Sequence, residues 1–199
     1  NRIFEGTNEI NRLLMLDQLM RRALKGKLPG LMEKIQALRA ELNQPQMPTP
    51  DPADPLEAIG RYVVNAKKAV LITAGMAAEQ VGMELEEKQE IVGHLADCLI
   101  QLYAMESVWL RTRKLQQKGL DITIPLAMAR VFAYDAFDKI EASARRAIHS
   151  FAEGDMLQIL LTALKRYTRR TAEVNTMALR RQIAEYVIQH ERAWSAAGK

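Results

Sequence analysis

The chain has 199 residues, 48% of them apolar and 26% charged, which is ample material for a packed core and excludes a disordered tail. A single cysteine, Cys98, excludes a disulfide framework and any multi-cysteine metal site. The formal net charge of +4 suits an acidic ligand or an anionic lipid surface but falls far short of a nucleic-acid-binding chain, so no nucleic acid is expected as a partner. Aromatic residues are scarce, and 10 Met stand against 4 Phe, a balance that favours helix-on-helix packing. The longest apolar run, 69–78, is broken by Thr73 and Gly75 and is well below the roughly 20 residues that cross a bilayer. The chain opens Asn1-Arg2-Ile3-Phe4, with neither methionine nor a targeting pattern, and reads as a piece of a longer polypeptide.

In chain order, the first helical pattern starts near Asn8 or Glu9, carries Ile10, Leu13, Leu14, Leu16 and Met20, and ends around Lys25-Gly26. Glu9 in its first turn and Arg21, Arg22 and Lys25 in its last suit the helix dipole. A second pattern, from Gly30 to about Asn43, sets Leu31, Ile35, Leu38 and Leu42 on one stripe and polar residues elsewhere. Five of the seven prolines then fall between Asn43 and Pro55, which predicts an extended linker.

Beyond it, Asp54-Pro55 is a cap followed by proline at the first helical position, opening a helix to about Met83 with Ile59, Val63, Ala66, Val70, Thr73 and Ala77 on one side. The next runs from about Glu86 to Lys118, where Gly119 closes it, with Ile91, Leu95, Cys98, Leu102, Met105 and Trp109 in heptad-like order. A third starts at Ile124-Pro125 and reaches Glu153, with Gly154 as its stop; Asp155 and Gln158 resemble a capping box for a fourth, to about Arg170. A last helix follows Asn175 and fades near Trp194. Nothing here alternates with period two. The expected fold is all-α: an up-and-down helical bundle over 54–199, preceded by a short helical piece at 1–29 and by the amphipathic helix and linker at 30–53.

The sharpest chemical signal is Arg2-Ile3-Phe4-Glu5-Gly6-Thr7-Asn8-Glu9-Ile10. Glu5 stands just ahead of a helix N-terminus, Gly6 permits close backbone approach by a ligand, and the free N–H groups around Thr7, Asn8 and Glu9 are donors to an anionic or polar group. The same residues also read as an ordinary start, with Thr7 or Asn8 capping the helix and Glu5 solvated. These nine residues, continuing into Asn11-Arg12-Leu13, resemble the catalytic-base segment of the acyl-CoA dehydrogenase flavoprotein family. The helical extension after the Pro-rich break, with Leu102-Tyr103-Ala104-Met105, is similar to the C-terminal domain of its very-long-chain branch.

The resemblance implies an FAD-dependent conversion of fatty acyl-CoA to trans-2-enoyl-CoA, in which Glu5 removes the α-proton and its main-chain N–H helps polarise the thioester carbonyl. Gly6 then lies against the substrate, and Thr7, Asn8 and Glu9 border the FAD. It further implies electron-transfer flavoprotein as acceptor, a homodimer, and a bacterial cytoplasmic or mitochondrial matrix location. Residues 1–29 are then the end of the catalytic helical domain. The flavin-holding parts of the family stand ahead of this segment, so this polypeptide by itself is expected to be inert and flavin-free. The alternative is a non-catalytic bundle serving dimerisation, membrane association or partner binding. For the stripe Leu31, Ile35, Leu38 and Leu42, with Lys25, Lys27, Lys34 and Arg39 around it, two readings stand: peripheral membrane contact, or packing on the bundle or a sister subunit.

Other residues carry less. His94, His149 and His190 are scattered and no metal site is expected; Cys98 reads as a buried small hydrophobe. Gly60, Gly75 and Gly82 are expected to allow close helix contact. The clusters Arg111-Arg113-Lys114-Lys118 and Lys165-Arg166-Arg169-Arg170 fall at helix ends, where the dipole favours them.

Overall fold

The computed structural model describes residues 6–42, 44 and 49–190. Arg2 to Glu5, Asn43, Pro45, Pro48 and Trp194, which carry the proposed base, part of the linker and the end of the last helix, lie outside them. Seven α-helices make up the described residues: α1 Asn8–Leu24, α2 Leu31–Leu42, α3 Pro55–Val81, α4 Gln89–Gln117, α5 Thr123–Phe151, α6 Gly154–Tyr167 and α7 Thr176–His190, with a 3₁₀ turn at Gly82–Glu86 between α3 and α4. Among the described residues there is no strand, and the all-α bundle stands as expected.

α3, α4 and α5 are the long antiparallel staves. α3 begins as its sequence dictates: the Asp54 carboxylate accepts the Leu56 N–H at 2.9 Å, and Pro55 fills the first turn. Its whole stripe, Ile59 to Ala77, is buried, and the Thr73 hydroxyl donates to the Ala69 carbonyl at 2.8 Å. α5 meets it with small residues, Ala129, Ala133, Ala136 and Ala144 all buried, so the two backbones approach closely around Tyr62, Phe137 and Ile140. α4 closes the trio, and α6 adds Leu160, Ala163, Leu164 and Tyr167 to the same core. A second, smaller core forms where Leu16 of α1 meets Ala77, Leu85, Ile91, Val92, Leu95 and Ala147. α7 contributes no buried residue and lies along α5, tied by Arg180 to Asp135 at 2.6 Å.

The α2 stripe faces inward. Leu38 is 6% exposed, Leu42 packs on the main core, and Ile35 lies over Gly75 of α3, 3.7 Å from where a β-carbon on that glycine would stand. Polar contacts frame it: Arg39 with Glu79, and Lys68 with both oxygens of Glu41 at 2.8 Å. Packing on the bundle is thus the arrangement seen. None of the described helices is long and apolar enough to cross a membrane.

Several local expectations are corrected. Gly154 does not stop α5, which ends at Phe151; its φ of +54° makes the bend that opens α6. The capping box is not formed: extended Glu153 is the cap position without a side-chain bond, and Asp155 serves the first turn by its charge alone. Gly82, with φ of +58°, ends α3 rather than making a helix contact, and α4 starts three residues later than expected because the 3₁₀ turn intervenes. α6 stops at Tyr167, short of Arg170: the Thr168 N–H makes the last bond back into the helix, to the Leu164 carbonyl, and further on Thr171 and Ala172 donate outside it, to Asp51 at 2.7 and 2.8 Å.

Candidate functional site

The site begins where α1 begins. Thr7 is extended and its Oγ1 accepts the Ile10 N–H at 3.3 Å, so the threonine does cap the helix. Gly6 turns the chain with φ of +97°, a conformation other side chains rarely adopt, and a β-carbon there would lie 3.1 Å from the Asn11 side-chain oxygen. Asn11 in turn donates its side-chain amide to the Gly6 carbonyl at 3.4 Å. Helix geometry leaves the N–H groups of Asn8 and Glu9 without intrahelical acceptors, at the positive end of the dipole. Gly6, Thr7, Asn8 and Glu9 are all exposed. The four expected residues therefore stand together as one face of outward donors around a backbone with no side chain at its bend. Such a face can meet an anionic or carbonyl group on one side; it cannot enclose one. Glu5, immediately before Gly6, lies outside the described residues.

One turn into α1, Arg12 pairs with Asp97 of α4, each side chain 34% exposed. His94 sits one turn before Asp97; its pKa is lowered by burial, and further by the charges of Arg146 and Arg12. Lower down, Leu13, Leu16 and Met20 pack on the second core, leaving an apolar groove of about 260 Å³ beside Ile10, Leu14 and Val92. Sequence reasoning missed the Arg12–Asp97 pair, because nothing local links residues 85 positions apart.

A cleft of about 700 Å³ shares no lining residue with α1 and lies between Thr49–Asp51, α3 and α6. Its cations are mostly engaged: Lys68 with Glu41, Arg166 with the Glu41 and Gln44 carbonyls, Arg61 with the Thr49 and Pro50 carbonyls, Arg170 with Asp138. The second basic cluster therefore does more than complement a helix dipole; Arg166 and Arg170 tie α6 to its neighbours. Asp51, whose side chain is 4% exposed, is the buried carboxylate here. Burial alone would raise its pKa, but hydrogen bonds from Ala172, Thr171 and Tyr62 outweigh that and hold it below the usual value. The same burial, with Tyr134 and Asp51 beside it, pushes the Tyr62 phenol well above its ordinary range.

The remaining candidates are structural. Cys98 is wholly buried, its thiol lies 3.6 Å from the Ile140 carbonyl, and burial pushes its pKa up to about 12. His149 and His190 are exposed, the latter stacked on Tyr186. No group of three or more His, Cys, Asp or Glu side chains suited to a metal ion occurs among the described residues.

With this geometry in hand, comparison with known proteins gives one consistent result. The family model for the acyl-CoA dehydrogenase C-terminal domain matches residues 65–166. A probable acyl-CoA dehydrogenase of Bacillus subtilis (strain 168) is 39% identical over 194 residues, which is 96% of this chain and 32% of that protein. The crystal structure of an acyl-CoA dehydrogenase complexed with FAD from Bacillus anthracis superposes with a TM-score of 0.91 at 40% identity, covering 98% of this chain and 33% of that one. The chain spans about a third of the length of the relatives it matches.

Proposed function

The chain belongs to the acyl-CoA dehydrogenase family, and from that premise we propose that it is the carboxy-terminal part of an FAD-dependent enzyme that oxidises a fatty acyl-CoA to the trans-2-enoyl-CoA. The observation that carries this reading is the contiguous segment 2–10, whose described part is the exposed, capped N-terminus of α1. In this reading Glu5 takes the proton from the carbon next to the thioester. Its main-chain N–H donates to the thioester carbonyl, where negative charge develops. Gly6 lies against the substrate; its positive φ favours glycine, which brings no β-carbon to the contact. Thr7, Asn8 and Glu9 border the FAD; the Thr7 oxygen already accepts from Ile10, which leaves its O–H free to donate outward. FAD, when bound, supplies the acceptor for the hydride that leaves the β-carbon.

A carboxylate removes so weakly acidic a proton only when it is desolvated and aimed. Gly6 to Glu9 are open to solvent and form one wall, so the others belong to the part of the enzyme that this chain does not span. The polypeptide alone is therefore inert and binds no flavin. Residues 1–29 are the end of the catalytic helical domain, 30–53 a strap and linker, and 54–199 an accessory bundle of the very-long-chain type. Electrons pass on to electron-transfer flavoprotein, and the enzyme is a homodimer of the bacterial cytoplasm or the mitochondrial matrix. Membrane contact through Leu31, Ile35, Leu38 and Leu42 would require α2 to lift off α3.

The test compares this chain with the longer protein. The longer protein is expected to carry one flavin per chain and to dehydrogenate a fatty acyl-CoA with electron-transfer flavoprotein or a dye as acceptor; this chain is expected to show neither property. A longer protein without flavin and without that activity contradicts the reading.

A further inference from the structure

We propose that Asp97, on the accessory bundle, is a positioning residue for the segment Gly6–Glu9, acting through Arg12; its catalytic consequence rests on the function proposed above. α1 has 17 residues, about 25 Å of helix, yet Leu16 is its one buried residue. Its apolar contacts begin at Leu13 and continue through Leu16 and Met20, while Ile10 and Leu14, also in the first two turns, are 60% and 51% exposed. Greasy contacts of this kind fix distance but let a helix roll and tilt. In the upper half of α1 Leu13 gives the apolar contact, and Arg12, reaching Asp97 on α4, adds the directional polar tie.

The surroundings make Asp97 more than a surface counter-ion. Both partners are two-thirds buried, so the pair is less screened than an exposed one. Arg146 and Arg12 both act on neighbouring His94, which marks a locally positive field. Without the Asp97 carboxylate, Arg12 has every reason to swing to solvent, taking the first turns of α1 with it. Gly6 to Glu9 ride on those turns, and a shift of about 1 Å in a reacting group costs up to about 100-fold in rate.

Two measurements test this. In the present chain, Asp97→Ala, which suits a helix, is expected to speed amide exchange at Asn11 to Leu14 about ten-fold or more while core amides of α3 and α5 are unchanged. In the longer enzyme, the same substitution is expected to lower kcat by about 10- to 100-fold with flavin retained and KM within about two-fold. The swapped pair Arg12→Asp with Asp97→Arg is expected to recover most of that loss, which a purely structural defect would not allow. Unchanged exchange at α1, an unchanged kcat in Asp97→Ala, or a swap no better than Asp97→Ala alone each overturns the proposal. If the wild-type longer protein does not oxidise acyl-CoA, the functional reading fails, and the exchange experiment alone then decides whether Asp97 tethers α1.

Discussion

The indole of Trp109 fills the space into which a β-carbon on Gly60 would project: three of its ring atoms lie 2.9, 3.0 and 3.1 Å from that point. Its Nε1–H donates to the Leu56 carbonyl at 3.1 Å, so the ring cannot slide away without losing that bond. Helix propensity favours alanine over glycine by about 1 kcal/mol, but overpacking a rigid ring costs about 1–3 kcal/mol. Gly60→Ala is therefore expected to destabilise the fold by about 1 kcal/mol in urea unfolding. Gly93, in the second turn of α4 with nothing within 4 Å of its missing β-carbon, is the control, and Gly93→Ala is expected to stabilise by about 0.5–1 kcal/mol.

The Asp51 clasp joins the linker to the turn after α6 across 120 residues. One carboxylate oxygen receives Thr171 N–H, Ala172 N–H and Tyr62 O–H at 2.7, 2.8 and 2.9 Å. Removing the charge with Asp51→Asn is expected to cost about 2 kcal/mol. The pH dependence has a definite sign. Asp51 titrates lower in the folded chain than its ordinary value of 3.8, so its contribution is complete above that value and is lost as pH falls through the lower, folded-state pKa. Acid unfolding of wild type is thus expected to be steeper below about pH 4 than that of Asp51→Asn.

Burial of the α2 stripe predicts that Leu38→Ala costs about 2–4 kcal/mol. It also predicts that the wild-type chain stays out of the lipid fraction when floated with anionic vesicles, since its apolar face is covered. Flotation of wild type, abolished by Leu31→Asp and Ile35→Asp, would mean that α2 detaches from α3.

Helices were legible because their signals are local. Stripes such as Ile59 to Ala77 repeat at helical spacing, and Asp54-Pro55 announces a start within two residues. Gly119 shows the same for a stop: Leu120 N–H bonds the Leu115 carbonyl and Gly119 N–H the Gln116 carbonyl, closing α4 as its position promises. Gly154 was misread because a glycine at positive φ can end one helix or open the next, and only the path of the chain decides. The candidate site is read from nine contiguous residues, of which the structure describes Gly6 to Ile10. Asp51 with Thr171 and Arg12 with Asp97 were not legible, since a charge carries no mark of the distant partner that folding brings to it.

The proposed function turns on Glu5 as the base. Its most direct test is turnover of a fatty acyl-CoA by Glu5→Gln in the longer enzyme, with flavin content measured on the same sample. The expected result is a loss of about 1,000-fold or more in turnover with flavin fully retained, because the amide keeps the shape and cannot take the proton. Turnover at the wild-type rate in the flavin-loaded variant would remove Glu5 from that role.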